Sequence, residues 1–167
     1  EADESRHAML LERCSPGTPL RVLEEEQQDV IVADLLRRLW RVPESGQFRS
    51  LSSMLENWSE ETLAEAACWP DSGLVKAGLQ LFKELSVPRA DDVLLATDLH
   101  AGNVLSAGRK PWLVIDPKPF VGDRAYDATQ HLLDCGPRLL ASPDRVIRRF
   151  ADLLEIDHER VRLWLFA

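Results

Sequence analysis

Three oxygen-bearing side chains raise the chemical question in this chain. Asp98 and Asn103 stand five residues apart in the stretch "DLHAGNVL", and Asp116 closes the apolar run Trp112-Leu113-Val114-Ile115. Phosphoryl transfer from a nucleotide needs little covalent help from a protein. It needs a carboxylate that orients a hydroxyl and accepts its proton, and oxygen ligands for Mg²⁺ that neutralise the phosphates. An Asp, an Asn five residues on, and a second Asp at the end of the next hairpin meet that need. The same residues also suit plain structure, with Asp98 and Asn103 capping a turn and Asp116 capping a strand end.

The neighbouring polar residues divide the same way. His100 lies inside the loop, where it hydrogen-bonds backbone and holds the loop's shape; proton transfer is the other role open to it. Gly102 permits a tight backbone next to Asn103. Asp123 and Asp127 straddle the start of a helix, so an N-cap is the simple role. The alternative is that one of them buries against the N–H groups of the Asp98 loop and rigidifies it. Lys118 could face phosphate or simply be solvated. His131 reads as a satisfied surface or core residue, and Trp40, Trp58 and Trp164 read as core anchors.

The elements that must position these groups are mostly helical. "HAMLLERC", His7 to Cys14, reads as a buried strand, closed by the Pro/Gly cluster "SPGTPL". Val22 to Val42 has helical apolar spacing, with Glu24, Glu25 and Glu26 in its first turn and Arg37, Arg38 and Arg41 in its last. Ser50 to Cys68 gives one or two helices, and Asp71-Ser72 caps another that runs towards Pro88. Then the texture changes. "DDVLLAT" reads as a strand, "DLHAGN" as a loop, and "VLSAGRKPWLVID" as two short strands joined by a turn. Ala125 to Cys135 returns to helix, Ser142-Pro143 caps a helix through Glu155, and Asp157 starts another.

Composition narrows the class. At 167 residues there is room for one domain with a sizeable core. A net charge of −8 disfavours a nucleic-acid partner, which would need a basic surface, and suits a cationic small-molecule substrate. No apolar run reaches the length of a membrane span, so no membrane partner is expected. Cys14, Cys68 and Cys135 form no zinc-like spacing and no disulfide framework, which fits a reducing, cytoplasmic location.

"DLHAGNVL", "PWLVIDPKPFVGD" and "AYDATQHLLDC" together resemble the aminoglycoside phosphotransferases. Within them, the resemblance is to the branch that groups streptomycin 6-phosphotransferases with hydroxyurea phosphotransferases. It is dense from Leu94 to Cys135 and thinner elsewhere. The resemblance implies an α+β, protein-kinase-like fold. Its mainly helical C-terminal lobe would occupy residues 21–167, with a small β-hairpin cluster at the catalytic loop. Residues 1–20 would supply the last N-terminal-lobe strand and the hinge, and the rest of that lobe is expected to lie outside the chain. The resemblance further implies ATP and Mg²⁺ as cofactors, Asp98 as catalytic base, and Asn103 and Asp116 as Mg²⁺ ligands. The hinge backbone of Glu12, Arg13 and Cys14 would meet the adenine, while His100, Asp123 and Asp127 support the loop.

Two departures accompany the likeness. The family's H-G-D-x-H is Ala96-Thr97-Asp98-Leu99-His100 here, and its G-D-P is Gly122-Asp123-Arg124. Three functions follow as expectations. One is ATP-dependent phosphorylation of a hydroxyl on a streptomycin-type antibiotic, with the isolated chain binding nucleotide weakly or not at all. The second is a catalytically inactive kinase-like binding module. The third is a kinase for another small hydroxylated metabolite.

Overall fold

The computed structural model describes residues 11–44 and 46–167, and the strand backbone at 2–3 and 8–9. Strands β1 (Ala2–Asp3) and β2 (Ala8–Met9) pair antiparallel. The strand expected over His7–Cys14 is confined to β2: His7 and Leu10 lie outside the described residues, and Leu11–Cys14 forms no strand. Leu11, at 67% exposure, shows why: its side chain stays largely in solvent and does not reward an extended, buried conformation.

Helix α1 (Glu25–Leu39) keeps its dipole-matched ends, Glu25 and Glu26 first and Arg37 and Arg38 last. It begins later than its apolar spacing suggests because Leu20–Val22 winds a tight 3-10 turn that drops Leu20 into the core. Helix α2 (Leu51–Ala64) is capped by the Ser50 hydroxyl, which accepts from Ser53 N. Helix α3 (Ser72–Leu85) is capped by Asp71, whose Oδ1 accepts from Gly73 N and Leu74 N at 2.8 and 3.1 Å.

Four three-residue strands follow: β3 (Val93–Leu95), β4 (Val104–Ser106), β5 (Trp112–Val114) and β6 (Phe120–Gly122). β4 and β5 form the expected hairpin, Val104 opposite Val114. β6 is not foreshadowed by any alternation in "PKPFVGD"; it pairs antiparallel with β3, Leu95 opposite Phe120. Gly122 makes this possible, since a Cβ there would lie 2.6 Å from Leu51 Cβ. β3 is also shorter than the run 91–97, because Thr97 turns to a left-handed φ of 52°.

The remaining helices are α4 (Arg124–Asp134), α5 (Gly136–Ala141), α6 (Pro143–Leu154) and α7 (His158–Phe166). Ser142 occupies the N-cap of α6 without a side-chain capping bond, at ψ 65°. Its backbone serves both neighbours instead: its N–H closes α5 on Arg138 O and its carbonyl accepts from Val146 N. The core joins α1, α4, α6 and α7 to the strands through Leu36, Leu99, Val104, Leu132, Phe150 and Trp164, among others. Trp58 is not part of it. At 42% exposure it lines a groove of about 810 Å³ between α2 and α3 with Trp69, Leu74 and Phe82. The architecture is therefore α+β, helical with small sheets.

Candidate active site

Two short sheets converge on one loop. The β4–β5 ladder extends by one bond, from Ile115 N to Asn103 O at 2.9 Å, so Asp116 follows directly after Asn103's partner at the open end of the hairpin. The β3–β6 ladder brings the chain beyond Asp116 back alongside the loop, where Lys118 N donates to Ala96 O at 3.0 Å. Asp98, Asn103, Asp116 and Lys118 thus share one end of the two sheets. Asp116 takes a left-handed φ of 50° as the chain turns out of β5. Non-glycine residues in that region carry strain that the surroundings must over-determine, and at a β-branched residue such as Thr97 the strain is larger.

The surroundings of Thr97 do over-determine it. Its N–H donates to Asp127 Oδ1 at 2.8 Å, and its hydroxyl donates to Lys118 O at 2.5 Å. Ala96 N and Trp40 Nε1 donate to the other Asp127 oxygen at 3.0 and 2.9 Å. Asp127 is wholly buried. Burial pushes its carboxyl up to about 6, and the three N–H donors hold it from going higher. The side chain sits on the first turn of α4, and Asp123 caps that helix by accepting from Ala125 N at 3.0 Å. Asp123 also receives Arg160 Nε and Trp164 Nε1, which tie α4 to α7. Arg124, where the family has proline, spreads over the Trp40 ring with its guanidinium 5.8 Å from the ring centre.

Two cationic or N–H-bearing side chains face Asp98. Lys118 Nζ contacts Asp98 Oδ2 at 2.5 Å, and His100 Nε2 lies 3.9 Å from Asp98 Oδ1. The Lys118 ammonium is held above its usual range by its hydrogen bond to Asp98 and by that carboxylate's charge, with Asp116 adding to it. His100 Nδ1 accepts from Gly102 N at 3.0 Å and lies 3.3 Å from Arg21 Nη2, which is also a donor. The ring proton therefore resides on Nε2, facing Asp98. Gly102 is required for this arrangement, because a Cβ would sit 2.7 Å from the His100 ring. Arg21 is in turn engaged by Asp134 at 2.6 Å.

The oxygen donors suit a hard divalent cation. Asn103 uses Nδ2 to donate to Asp98 O at 2.9 Å, which turns its Oδ1 away as a ligand. Among the described residues, the Asp116 carboxylate makes no hydrogen bond or ion pair closer than 4 Å. An amide oxygen and an uncommitted carboxylate are the ligand types Mg²⁺ prefers. A second grouping, Asp29, His131 and Cys135, brings ligand atoms within 4.8 Å of one another. It is unsuited to a cation. Arg138 grips both Asp29 oxygens at 2.8 and 2.6 Å, Arg149 adds a contact at 3.2 Å, and burial pushes the Cys135 thiol up to about 11.

Glu12, Arg13 and Cys14 lie elsewhere. Glu12 pairs with Arg109 at 2.7 Å, at the closed end of the β4–β5 hairpin, and Gly17 and Thr18 run beside Ser106. The Asp98 loop is at the opposite, open end. Three contributors to the site carry little signal in the sequence. Trp40 reaches it from the end of α1, while Arg21 and Asp134 meet only at His100. Lys118 carries a clearer local signal, a lysine set between the two prolines of "DPKP".

The chain is 35% identical to streptomycin 6-kinase of Streptomyces griseus, over 99% of this chain and 57% of that protein. It is 34% identical to hydroxyurea phosphotransferase of Kitasatospora aureofaciens, over 98% of this chain and 49% of that protein. A solved spectinomycin phosphotransferase, in complex with ADP and spectinomycin, covers 89% of this chain and 54% of its own at 15% identity and a TM-score of 0.47. The chain spans about half the length of the curated relatives it matches. Residues 1–167 match a single family throughout, and the chain belongs to the aminoglycoside/hydroxyurea antibiotic resistance kinases.

Proposed function

We propose that the protein carrying this chain transfers the γ-phosphoryl group of ATP to a hydroxyl of a streptomycin-type aminoglycoside. The observation that carries this reading is the convergence of Asp98, Asn103 and Asp116 at the open end of one hairpin, on a loop fixed from beneath by Asp127. Asp98 is the base: it orients the acceptor hydroxyl and takes its proton as the new P–O bond forms. Asn103 Oδ1 and the Asp116 carboxylate would hold Mg²⁺, which when bound neutralises phosphate charge and fixes its orientation. His100 keeps the loop in shape through Gly102 and presents its N–H towards Asp98, while Asp123 and Asp127 support the start of α4 and the loop. The hinge backbone of Glu12, Arg13 and Cys14 is assigned to the adenine by family likeness. A net charge of −8 suits a cationic acceptor, and three free thiols suit the cytosol. No helix among the described residues is long and apolar enough to cross a membrane.

The test is ATP turnover by the full-length protein with streptomycin as acceptor, hydroxyurea as a second acceptor, and Asp98→Ala as control. Loss of about 10²–10⁴-fold in rate is expected for the variant. Turnover with neither acceptor would remove the substrate assignment and favour an inactive binding module or a kinase of another hydroxylated metabolite. An unchanged rate in Asp98→Ala would remove the base assignment.

A further inference from the structure

Lys118 is placed with more care than a solvated lysine needs. Pro117 and Pro119 flank it and restrict the backbone on both sides. Its own N–H is bound to Ala96 O at 3.0 Å, and its carbonyl accepts from the Thr97 hydroxyl at 2.5 Å. Both backbone groups are thus tied to the two residues that precede Asp98. The side chain, by contrast, is 56% exposed, and only its ammonium is engaged, on Asp98 Oδ2. A fixed root and an open, movable tip describe a group that works by changing partners.

The surroundings of Asp98 give that change a purpose. One carboxylate oxygen is covered by Lys118 and the other faces the N–H of His100. A hydroxyl that approaches Oδ2 meets the Lys118 ammonium first, whereas the His100 ring, 3.9 Å from Oδ1, is locked by Gly102 N on its far side. Lys118 is the displaceable partner. Charge points the same way: Arg21 is committed to Asp134, while the Lys118 ammonium sits on Asp98 and is also held by the charge of Asp116. A phosphoryl group arriving beside Asp116 brings negative charge that draws the ammonium off Asp98.

We infer that Lys118 is a partner-exchanging catalytic residue: it covers Asp98 at rest, then swings to the transferred phosphoryl group and uncovers the base for the acceptor hydroxyl. The inference rests on the phosphotransferase reading above. In the step itself the acceptor oxygen bonds to the γ-phosphorus as the bridging β–γ P–O bond breaks. ADP keeps that electron pair, and the hydroxyl proton passes to Asp98. Lys118 forms no covalent bond and contributes positive charge that strengthens as charge develops on the phosphoryl oxygens.

The discriminating experiment is calorimetric and uses the full-length protein. Mg²⁺·ADP affinity is measured with and without aluminium fluoride, a mimic of the phosphoryl group in flight, in the presence of streptomycin. Fluoride is expected to tighten wild-type binding. In Lys118→Met that tightening should fall about tenfold or more while affinity for Mg²⁺·ADP alone stays within about twofold, and Lys118→Arg should keep most of it. Turnover should follow, with kcat of Lys118→Met down about 10²-fold and KM for ATP nearly unchanged. Fluoride tightening as strong in Lys118→Met as in wild type overturns the inference and leaves the phosphotransferase reading standing. Wild-type protein that neither binds Mg²⁺·ADP nor transfers phosphate overturns that reading, and the role of Lys118 with it.

Discussion

Two aspartates in this molecule are buried to the same depth and treated in opposite ways. Asp29, on the inner face of α1, receives the imidazole of His131 at 2.9 Å and the guanidiniums of Arg138 and Arg149. Asp127, at the start of α4, receives three neutral N–H groups and no cation. Burial raises both carboxyls. At Asp29, hydrogen bonds from His131 and Arg138 outweigh it and hold the group well below the usual carboxylate range. At Asp127 the neutral donors only moderate it, and the group rests at about 6. The first arrangement joins α1 to α4, α5 and α6 by charge. The second shapes a loop that carries Asp98 without placing a fixed cation beneath it, where one would compete with Lys118 for the same carboxylate. One acid holds helices together and the other sets backbone geometry.

The sharpest way to break this comparison is to remove the acid from the ionic side. Asp29→Ala leaves Arg138, with only 16% of its side chain exposed, with the half-exposed Glu25 carboxylate at 2.9 Å in place of its buried partner, and takes the acid from beneath His131 and Arg149 as well. Loss of one member of a buried ion pair costs about 3–5 kcal/mol, which at this chain length lowers the melting temperature by roughly 6–20 °C. Denaturant unfolding should record that loss while ATP turnover, measured well below the new midpoint, stays near wild type. A loss under about 1 kcal/mol would mean the network is ornamental and that α1 is held by its apolar stripe alone.

A second, somewhat smaller effect separates the two acids by sign. Asp127 holds its proton in the native state up to about pH 6, whereas the unfolded chain releases it near 4. Between those values the native state binds more protons, so raising the pH favours unfolding. Its contribution is full below about pH 4 and is lost as pH rises through about 6, by at most about 3 kcal/mol. Asp29 has the opposite sign: its contribution is present above about pH 4 and is lost as pH falls below it. Unfolding curves of wild type, Asp127→Asn and Asp29→Asn from pH 3 to 7 should show the gap between wild type and Asp127→Asn narrowing upward through 4–6. The gap to Asp29→Asn should narrow on acidification instead. Parallel slopes for the two variants would erase the distinction.

How much of this could be read from the chain follows the same division. The hairpin that presents Asn103 and Asp116 is legible because apolar runs and a Gly-containing turn are local signals, and so are the helix starts at Asp71, Asp123 and Asp157. An acid at the start of α4 that could bury against the loop's N–H groups is also open to view, as one of two alternatives. Its identity as Asp127, with Trp40 as third donor, depends on a contact across 87 residues that no periodicity encodes. Asp29 does leave a trace, since it continues the buried stripe of Val32 and Leu36 at helical spacing. An acid in such a stripe calls for cations, but nothing local says that they come from Arg138 and Arg149. β6 is hidden for a related reason: three residues between a proline-rich turn and an N-cap are too few to alternate. Trp58 misleads because size alone favours burial, and its helix presents it to a groove rather than to the core.

The smallest prediction is the most specific to the neutral side of the comparison. Trp40→Phe keeps an aromatic ring under Arg124 and removes the indole N–H that shares Asp127 Oδ2 with Ala96 N, together with some packing volume. One lost hydrogen bond of this kind costs about 0.5–1.5 kcal/mol. Stability alone would not separate that from a modest packing defect. The pH window would: with one donor fewer to favour the ionised form, the Asp127 carboxyl should move further up, and the fall in stability should shift to higher pH. The acid limb set by Asp29 should stay where it was, since Trp40 does not touch it. If the window stays in place, the two backbone N–H groups alone define the environment of Asp127. The indole would then be a neighbour of the loop that takes no part in shaping it.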